Sequence, residues 1–268
     1  LLLSLTLAWK TLGYDGSMMN GLNILPQYTE YFHLNTATIG LNNAATWMGS
    51  IIGCLFLQPI PDRWGRKSGI LIGSIVCLLG VIMQSAAQNI ATFVVGRIFI
   101  GIGNGISTGS APTLIGEVLP PRFRGAVMGL FFSCFYVGSL ISALINYLVV
   151  NVSGTWAWRI PSIIQALFSL WAIATLPFTP ESPRWFISQG ETEAARETLA
   201  VIYGHKDPNS DETSTLYDEI VNVLRREEEA YPANPWKELI STKANRHRLF
   251  IVATFGIMTE MSGNFVIS

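Results

Sequence analysis

Apolar residues in this 268-residue chain gather in long runs and do not alternate at the period of a half-buried strand. No Asp, Glu, Lys or Arg occurs over 34–61, 68–96, 98–116, 125–158 or 160–180. A helix made from any one of these stretches can reach across a hydrocarbon core of about 30 Å. The turn-forming breaks between them predict spans over 1–22, 40–60, 69–86, 90–115, 125–149 and 158–178, with a seventh that starts near Arg248 and stops at Ser268. Because the hydrophobicity recurs, 1–22 reads as a span and not as a cleaved leader. The first residue is not Met and the last lies inside an apolar run, so the chain reads as truncated at both ends. The pattern predicts an all-α integral membrane protein.

Charge sharpens the picture. Charged residues make up 13% of the chain, against about 25% in an average soluble domain. Of the 35 charged side chains, 22 lie between Glu181 and Arg248, which leaves 13 for everything else and excludes an ordinary soluble domain. A net charge of −1 gives no support for nucleic-acid binding. Cationic residues set topology because connections on the cytoplasmic side retain them. Arg63, Arg66 and Lys67 follow the second span, Arg122 and Arg124 precede the fifth, and nine more lie between the sixth and the seventh. The connections 23–38, 88–89 and 150–157 hold none, so the amino terminus and the 181–247 segment are expected in the cytoplasm. The sequon Asn151-Val152-Ser153 then falls outside, close to the membrane. Within 181–247, the stretches 191–203 and 215–226 carry apolar residues at helical spacing and predict short helices lying against the span ends.

Ionised groups inside a membrane need an internal partner or an aqueous cavity. Asp15 lies about 10 Å from the outer end of the rising first span, and Arg97 lies at a comparable depth in the descending fourth. A carboxylate facing a guanidinium satisfies both, and protonating the acid releases the arginine; a permanent structural ion pair fits the spacing equally well. Lys10 and Glu260 are further charges within apolar runs, Lys10 with no assigned role and Glu260 placed to face a central cavity. Two charged turns, Asp62-Arg63-Trp64-Gly65-Arg66-Lys67 and Glu117 with Arg122 and Arg124, can clasp the cytoplasmic helix ends. Gly49 and Gly53, and Gly101, Gly105 and Gly109, recur every four residues and allow neighbouring helices to approach closely. No Ser/His/Asp arrangement is legible, and the glycines around Asn104 lack the soluble strand of a nucleotide fold, so no enzyme is expected. Cys54, Cys77 and Cys134 are isolated, and neither a metal site nor a cofactor is expected. Composition leaves a receptor or channel subunit open.

The motifs together resemble the sugar porter branch of the major facilitator superfamily, particularly its fungal hexose- and lactose-permease-like members. They are Gly13-Tyr14-Asp15, Asp62-Arg63-x-Gly65-Arg66-Lys67, Gly96-Arg97, Gly116-Glu117, Arg124-Gly125, Trp158-Arg159 and Pro180-Glu181-Ser182-Pro183-Arg184-Trp185, in order along essentially the whole chain. The resemblance implies an amino-terminal six-helix bundle over 1–180, a cytoplasmic helical linker over 181–247 and the start of a second bundle over 248–268. It implies substrate bound between two bundles that rock, and proton coupling at Asp15 and Arg97. Asp62, Arg63, Gly65, Arg66, Glu117, Arg124, Glu181 and Arg184 correspond to the family's inner gate network. Phe132 stands where the family carries a fifth-span glutamine, and Thr259-Glu260-Met261-Ser262-Gly263 stands where it carries Gln-Gln-x-Ser-Gly, which makes Phe132, Glu260 and Asn264 the substrate-cavity candidates. Gln58 replaces the glycine that opens the inner-loop motif. The implied activity is sugar:proton symport by a plasma-membrane monomer acting on a sugar or polyol-like solute, with a facilitator, a non-sugar carrier or a non-transporting nutrient sensor as the alternatives.

Overall fold

Proline, asparagine and glycine punctuate the apolar runs, and the helices begin and end at them. The protein is described by a computed structural model covering residues 13–203, 207–208, 210–230 and 240–259. Helix α1 occupies 13–22 and is followed by α2 (Pro26–Tyr31), α3 (Thr36–Cys54), α4 (Pro59–Trp64), α5 (Arg66–Ser85), α6 (Ile90–Val118), α7 (Pro121–Val149) and α8 (Trp156–Thr175). A 3-10 turn, Leu176–Phe178, extends α8, and α9 (Pro183–Ser188) and α10 (Thr192–Tyr203) complete a first compact unit over 1–206. The second unit, 207–268, contains α11 (Asp211–Ala230) and α12 (Lys243–Thr259). No strand occurs among the described residues.

Several helix ends differ from the expected spans, each for a local reason. The second span was expected to continue to residue 60, yet α3 stops at Cys54 and α4 is a separate short helix. Pro59 and Pro61 have no N–H for the carbonyls of Leu55 and Leu57, so one continuous helix would leave two acceptors unpaired. At its start α3 begins four residues early, because Asn35 and Thr38 form a reciprocal capping box with N–H to oxygen distances of 2.9 and 2.8 Å. Asn89 caps α6 through the Thr92 N–H at 2.9 Å. Pro121 opens α7 at a position where its missing N–H costs nothing. The connection 23–38 contains an unexpected helix, α2, closed by His33 at φ 49°.

Among the described residues, four segments are long and apolar enough to cross a membrane: Arg66–Ser85, Ile90–Val118, Pro121–Val149 and Trp156–Phe178. Between lipid-soluble helices, water expulsion drives little association, so close backbone packing has to do it. Helix α6 packs most extensively, with α5 on one side and α3 on the other. A methyl group at Gly80 would sit 2.6 Å from the Gly96 carbonyl oxygen, and one at Gly96 would sit 2.8 Å from the Gly80 oxygen. On the other side, a methyl at Gly53 would lie 2.5 Å from the Ile102 oxygen, and Ser50 Oγ donates to the Gly101 carbonyl at 3.2 Å. At one end of the bundle α2 presses Tyr28 and Phe32 onto Phe93 and Trp158, with ring centroids 5.1–6.4 Å apart. At the other end Ile70, Leu114, Ile115, Phe131 and Leu176 form a second core, against which Ile202 of α10 packs.

A Gly80→Val side chain meets backbone on α6 and cannot be accommodated by a rotamer change. The expected result is a loss of about 1–3 kcal/mol, read as a melting temperature in detergent lowered by several degrees. Gly129→Ala, in the interior of α7 where a methyl meets no neighbouring side chain or helix within 4 Å, is expected to leave the melting temperature unchanged or to raise it slightly.

Candidate functional site

Asp15 and Arg97 are both almost fully enclosed, at 2% and 3% exposure. Helix α1 places the acid against α6, where Asn104 Nδ2 donates to Asp15 Oδ2 at 2.7 Å. Cys77 on α5 donates its thiol to Asn104 Oδ1 at 3.4 Å, with the Ile100 carbonyl a second acceptor at 3.5 Å. Arg97, two turns before Asn104 on α6, interacts with Asp15 through space without forming an ion pair with it within 4.0 Å. Asp15 Oδ1 and Arg97 Nε and Nη1 are buried without hydrogen-bond partners among the described residues. Tyr28 also acts electrostatically on Arg97, and its hydroxyl accepts from Asn42 Nδ2 at 3.0 Å. A ladder of polar side chains from α3, α2, α6, α1 and α5 thus runs through an otherwise apolar interior. The hydrogen-bonded partner of the carboxylate is thus an amide, while the guanidinium acts on it through space.

A second cluster lies at the end of the bundle where α4, α5, α6 and α9 converge. Arg66 Nε and Nη2 form a fork on the Glu117 carboxylate at 3.1 and 3.3 Å, and Arg66 Nη1 reaches Asp62 Oδ1 at 2.7 Å and the Pro61 carbonyl at 3.0 Å. Glu181 has no guanidinium at hydrogen-bond distance among the described residues. Its carboxylate instead accepts the backbone N–H groups of Arg66 and Lys67, both at 3.0 Å, and of Ser182 at 2.9 Å. It therefore caps the amino terminus of α5, where unpaired N–H groups and the helix dipole favour an anion. Gly65 makes room for it: its φ is 95°, and a methyl there would sit 2.5 Å from Glu181 Oε2. Trp185 Nε1 closes the same corner on the Asp62 carbonyl at 3.0 Å. Burial pushes the Glu181 carboxyl up from its ordinary value, against the opposing hydrogen bonds from Ser182, Lys67 and Arg66.

The structure thus brings together Asp62, Gly65, Arg66, Glu117 and Glu181. Arg63 is exposed with its guanidinium 5.8 Å from the Trp64 ring centre, and Arg124 is exposed and reaches the Leu119 carbonyl at 3.4 Å. Arg184 sits half-buried in the first turn of α9. Phe132 stands half-exposed on α7, edge-on to Phe131 at 5.5 Å. Lys10, Glu260 and Asn264 lie outside the described residues. Sequence reasoning passed over Asn104, Asn42, Gln84 and Gln165, all of them buried. Their signal was an uncharged amide inside an apolar run, which spans also use for helix contacts. Gln84 Nε2, for instance, donates to Ser162 Oγ on α8 at 3.0 Å.

Apolar helices around a buried acid and arginine, with a charged clasp at one end, form the amino-terminal half of a major facilitator fold. The protein is integral to the membrane. The proton:xylose symporter XylE bound to 6-bromo-6-deoxy-D-glucose superposes with a TM-score of 0.75 at 23% identity, over 84% of this chain and 52% of that one. Residues 3–268 match the family described as Sugar (and other) transporter, and the chain belongs to it. It is 29% identical to MFS-type transporter criB of Aspergillus cristatus, over 96% of this chain and 55% of the relative. It is 30% identical to High-affinity glucose transporter 1 of Candida albicans, over 83% of this chain and 41% of that protein. The chain therefore spans about half the length of the curated relatives it matches.

Because the Glu181 carboxyl has a higher proton affinity in the folded protein, protonation favours the folded state below the ordinary glutamate range, and that contribution is lost as pH rises through the raised value. In Glu181→Gln, the melting temperature in detergent is expected to vary less with pH across roughly pH 4–8 than in the wild type. An identical slope in both proteins would remove Glu181 as a source of that dependence.

Proposed function

We propose that the full-length protein moves a sugar or polyol-like solute across the plasma membrane by alternating access, coupled to protons as a symporter. The observation that carries this reading is the enclosed Asp15 carboxylate, which has one oxygen without a hydrogen-bond partner among the described residues and a guanidinium close enough to interact but not paired with it. An acid in that state can gain and lose a proton while Arg97 gains and loses a counter-charge, and this is what coupling to a rocking motion requires. The names of the relatives, a glucose transporter and a proton:xylose symporter, support the solute class and the coupling.

In this reading residues 1–180 form the first rocking bundle, 181–247 a cytoplasmic linker and 248–268 the start of the second bundle. The amino terminus and the clasp of Asp62, Arg66, Glu117 and Glu181 face the cytoplasm, with Arg63, Gly65, Arg124 and Arg184 supporting that gate. Cationic residues concentrated at that end support this orientation. Phe132, Glu260 and Asn264 line the solute cavity, and the carrier acts as a monomer. A second reading, transport of a non-sugar solute, is favoured by Phe132, which can stack but cannot pair with hydroxyls as an amide does.

Radiolabelled glucose, xylose and lactose are supplied to transporter-deficient yeast expressing the full-length gene, with and without a protonophore, alongside Asp15→Asn. Accumulation of one sugar is expected, abolished both by collapse of the inward proton gradient and by Asp15→Asn. Uptake insensitive to both makes the protein a facilitator, and no uptake of any of the three points to a non-sugar solute or a sensor.

A further inference from the structure

Asp15 is held by a chain of neutral groups from two other helices. A carboxylate can only accept, so the Asn104 amide must present Nδ2 to it, which turns Oδ1 away toward α5. There the Cys77 thiol donates to Oδ1 at 3.4 Å. The thiol is itself confined, since a methyl on the neighbouring Gly103 would sit 2.6 Å from the Cys77 sulfur. The sequence Gly103-Asn104 therefore both admits the thiol and aims the amide. Asp15 Oδ2 is occupied, whereas Oδ1 is buried and has no hydrogen-bond partner among the described residues.

We propose that Asn104, oriented by Cys77, is the positioning residue of the proton site: it stabilises the ionised form of Asp15 from Oδ2 and leaves Oδ1 as the oxygen that takes the proton. This rests on the symport reading above. The step is a simple transfer, in which a proton from the external solution joins Oδ1 to give the neutral acid, and Oδ2 keeps its amide donor. An amide neither supplies nor competes for that proton, so it sets the pH at which Asp15 loads without taking part in the exchange. The ionisable neighbours are Tyr14 on α1, Cys77 on α5 and Arg97 on α6, with Tyr28 of α2 acting on Arg97. Helix α7 meets α1 through Ser139 and Asn146, its charges Arg122 and Arg124 lying in its first turn. The contact from α8 is the Pro161 carbonyl, which accepts from Tyr14 at 2.8 Å, and the one charge on α8, Arg159, stacks on Trp158. The amide is thus the one neutral donor bound directly to the carboxylate among the described residues.

The test is the external-pH profile of radiolabelled sugar uptake by the full-length protein, with whichever of glucose, xylose or lactose the wild type accumulates, and with proton-independent counterflow as the measure of folded carrier. Asn104→Leu keeps the bulk and removes the donor. Its half-maximal pH is expected to move alkaline by about one unit, with counterflow retained. On the Asp15→Asn background, where accumulation is lost, the pH profile of counterflow is read instead and is expected to be the same with Asn104 or with Asn104→Leu. An unshifted profile, or a shift that persists without the acid, overturns the proposal. If Asn104→Leu loses counterflow, Cys77→Ala decides: a smaller alkaline shift, reversed in Cys77→Ser, supports the chain, and no shift overturns it. Wild-type uptake that ignores pH defeats the symport reading and this proposal with it, whereas a pH-dependent wild type with an unshifted Asn104→Leu defeats only the proposal.

Discussion

The bundle depends on how near α6 can come to its neighbours. With lipid on the outside, helices gain little by hiding apolar side chains from one another, so cohesion comes from dispersion and from backbone groups meeting at short range. Gly80 against Gly96 and Gly53 against the Ile102 carbonyl give α6 two such faces, one toward α5 and one toward α3. Larger residues at these positions would widen the separation and dissolve both contacts. The same narrow spacing puts Cys77, Asn104 and Asp15 within hydrogen-bond reach of one another across three helices. Packing and polar chemistry are therefore one arrangement, and neither can be altered without the other.

That coupling explains why so many polar groups survive in the interior. Removing the hydrogen-bond partner of a buried polar group costs more than the bond itself gains, so such residues persist only where the geometry is fixed. Asn42 with Tyr28, Asn104 with Asp15, and Gln84 with Ser162 each bridge two different helices. They fix the register of the bundle as effectively as its glycines do. Asp15 Oδ1 and Arg97 Nε and Nη1 are among the buried groups without a hydrogen-bond partner among the described residues, and an unsatisfied charge is the feature expected of a site that changes state.

Much of this was legible in the chain, for physical reasons that differ by level. Hydrophobic runs report the membrane directly, so α5, α6, α7 and α8 were visible within a few residues at each end. Capping pairs such as Asn35 with Thr38 move an end by a few residues and carry no hydropathy signal. The short α2 was missed because six residues between Leu25 and Phe32 are too few to show a period, and its stability comes from the tertiary contacts of Tyr28 and Phe32. At the site, rarity made Asp15 and Arg97 conspicuous. Their partners were not, since an asparagine flanked by glycines looks like part of a packing stripe. Glu181 shows a different limit. The resemblance placed it in a charged gate network without saying what holds it; the backbone N–H groups opening α5 are fixed in place and need no side-chain ordering, and they hold the carboxylate.

The Glu181 cap also imposes an order on biosynthesis. It joins residues 115 positions apart, so the amino terminus of α5 stays uncapped until α6, α7 and α8 have been translated. At roughly 5–20 residues per second the ribosome takes on the order of ten seconds to cover that distance. During that interval the contacts available to the first helices are their glycine faces and the side-chain bonds among Asp15, Cys77, Asn104, Arg66 and Glu117, and the cap can form only once the segment beginning at Pro180 arrives. The cap is thus a late closure, made across three intervening helices.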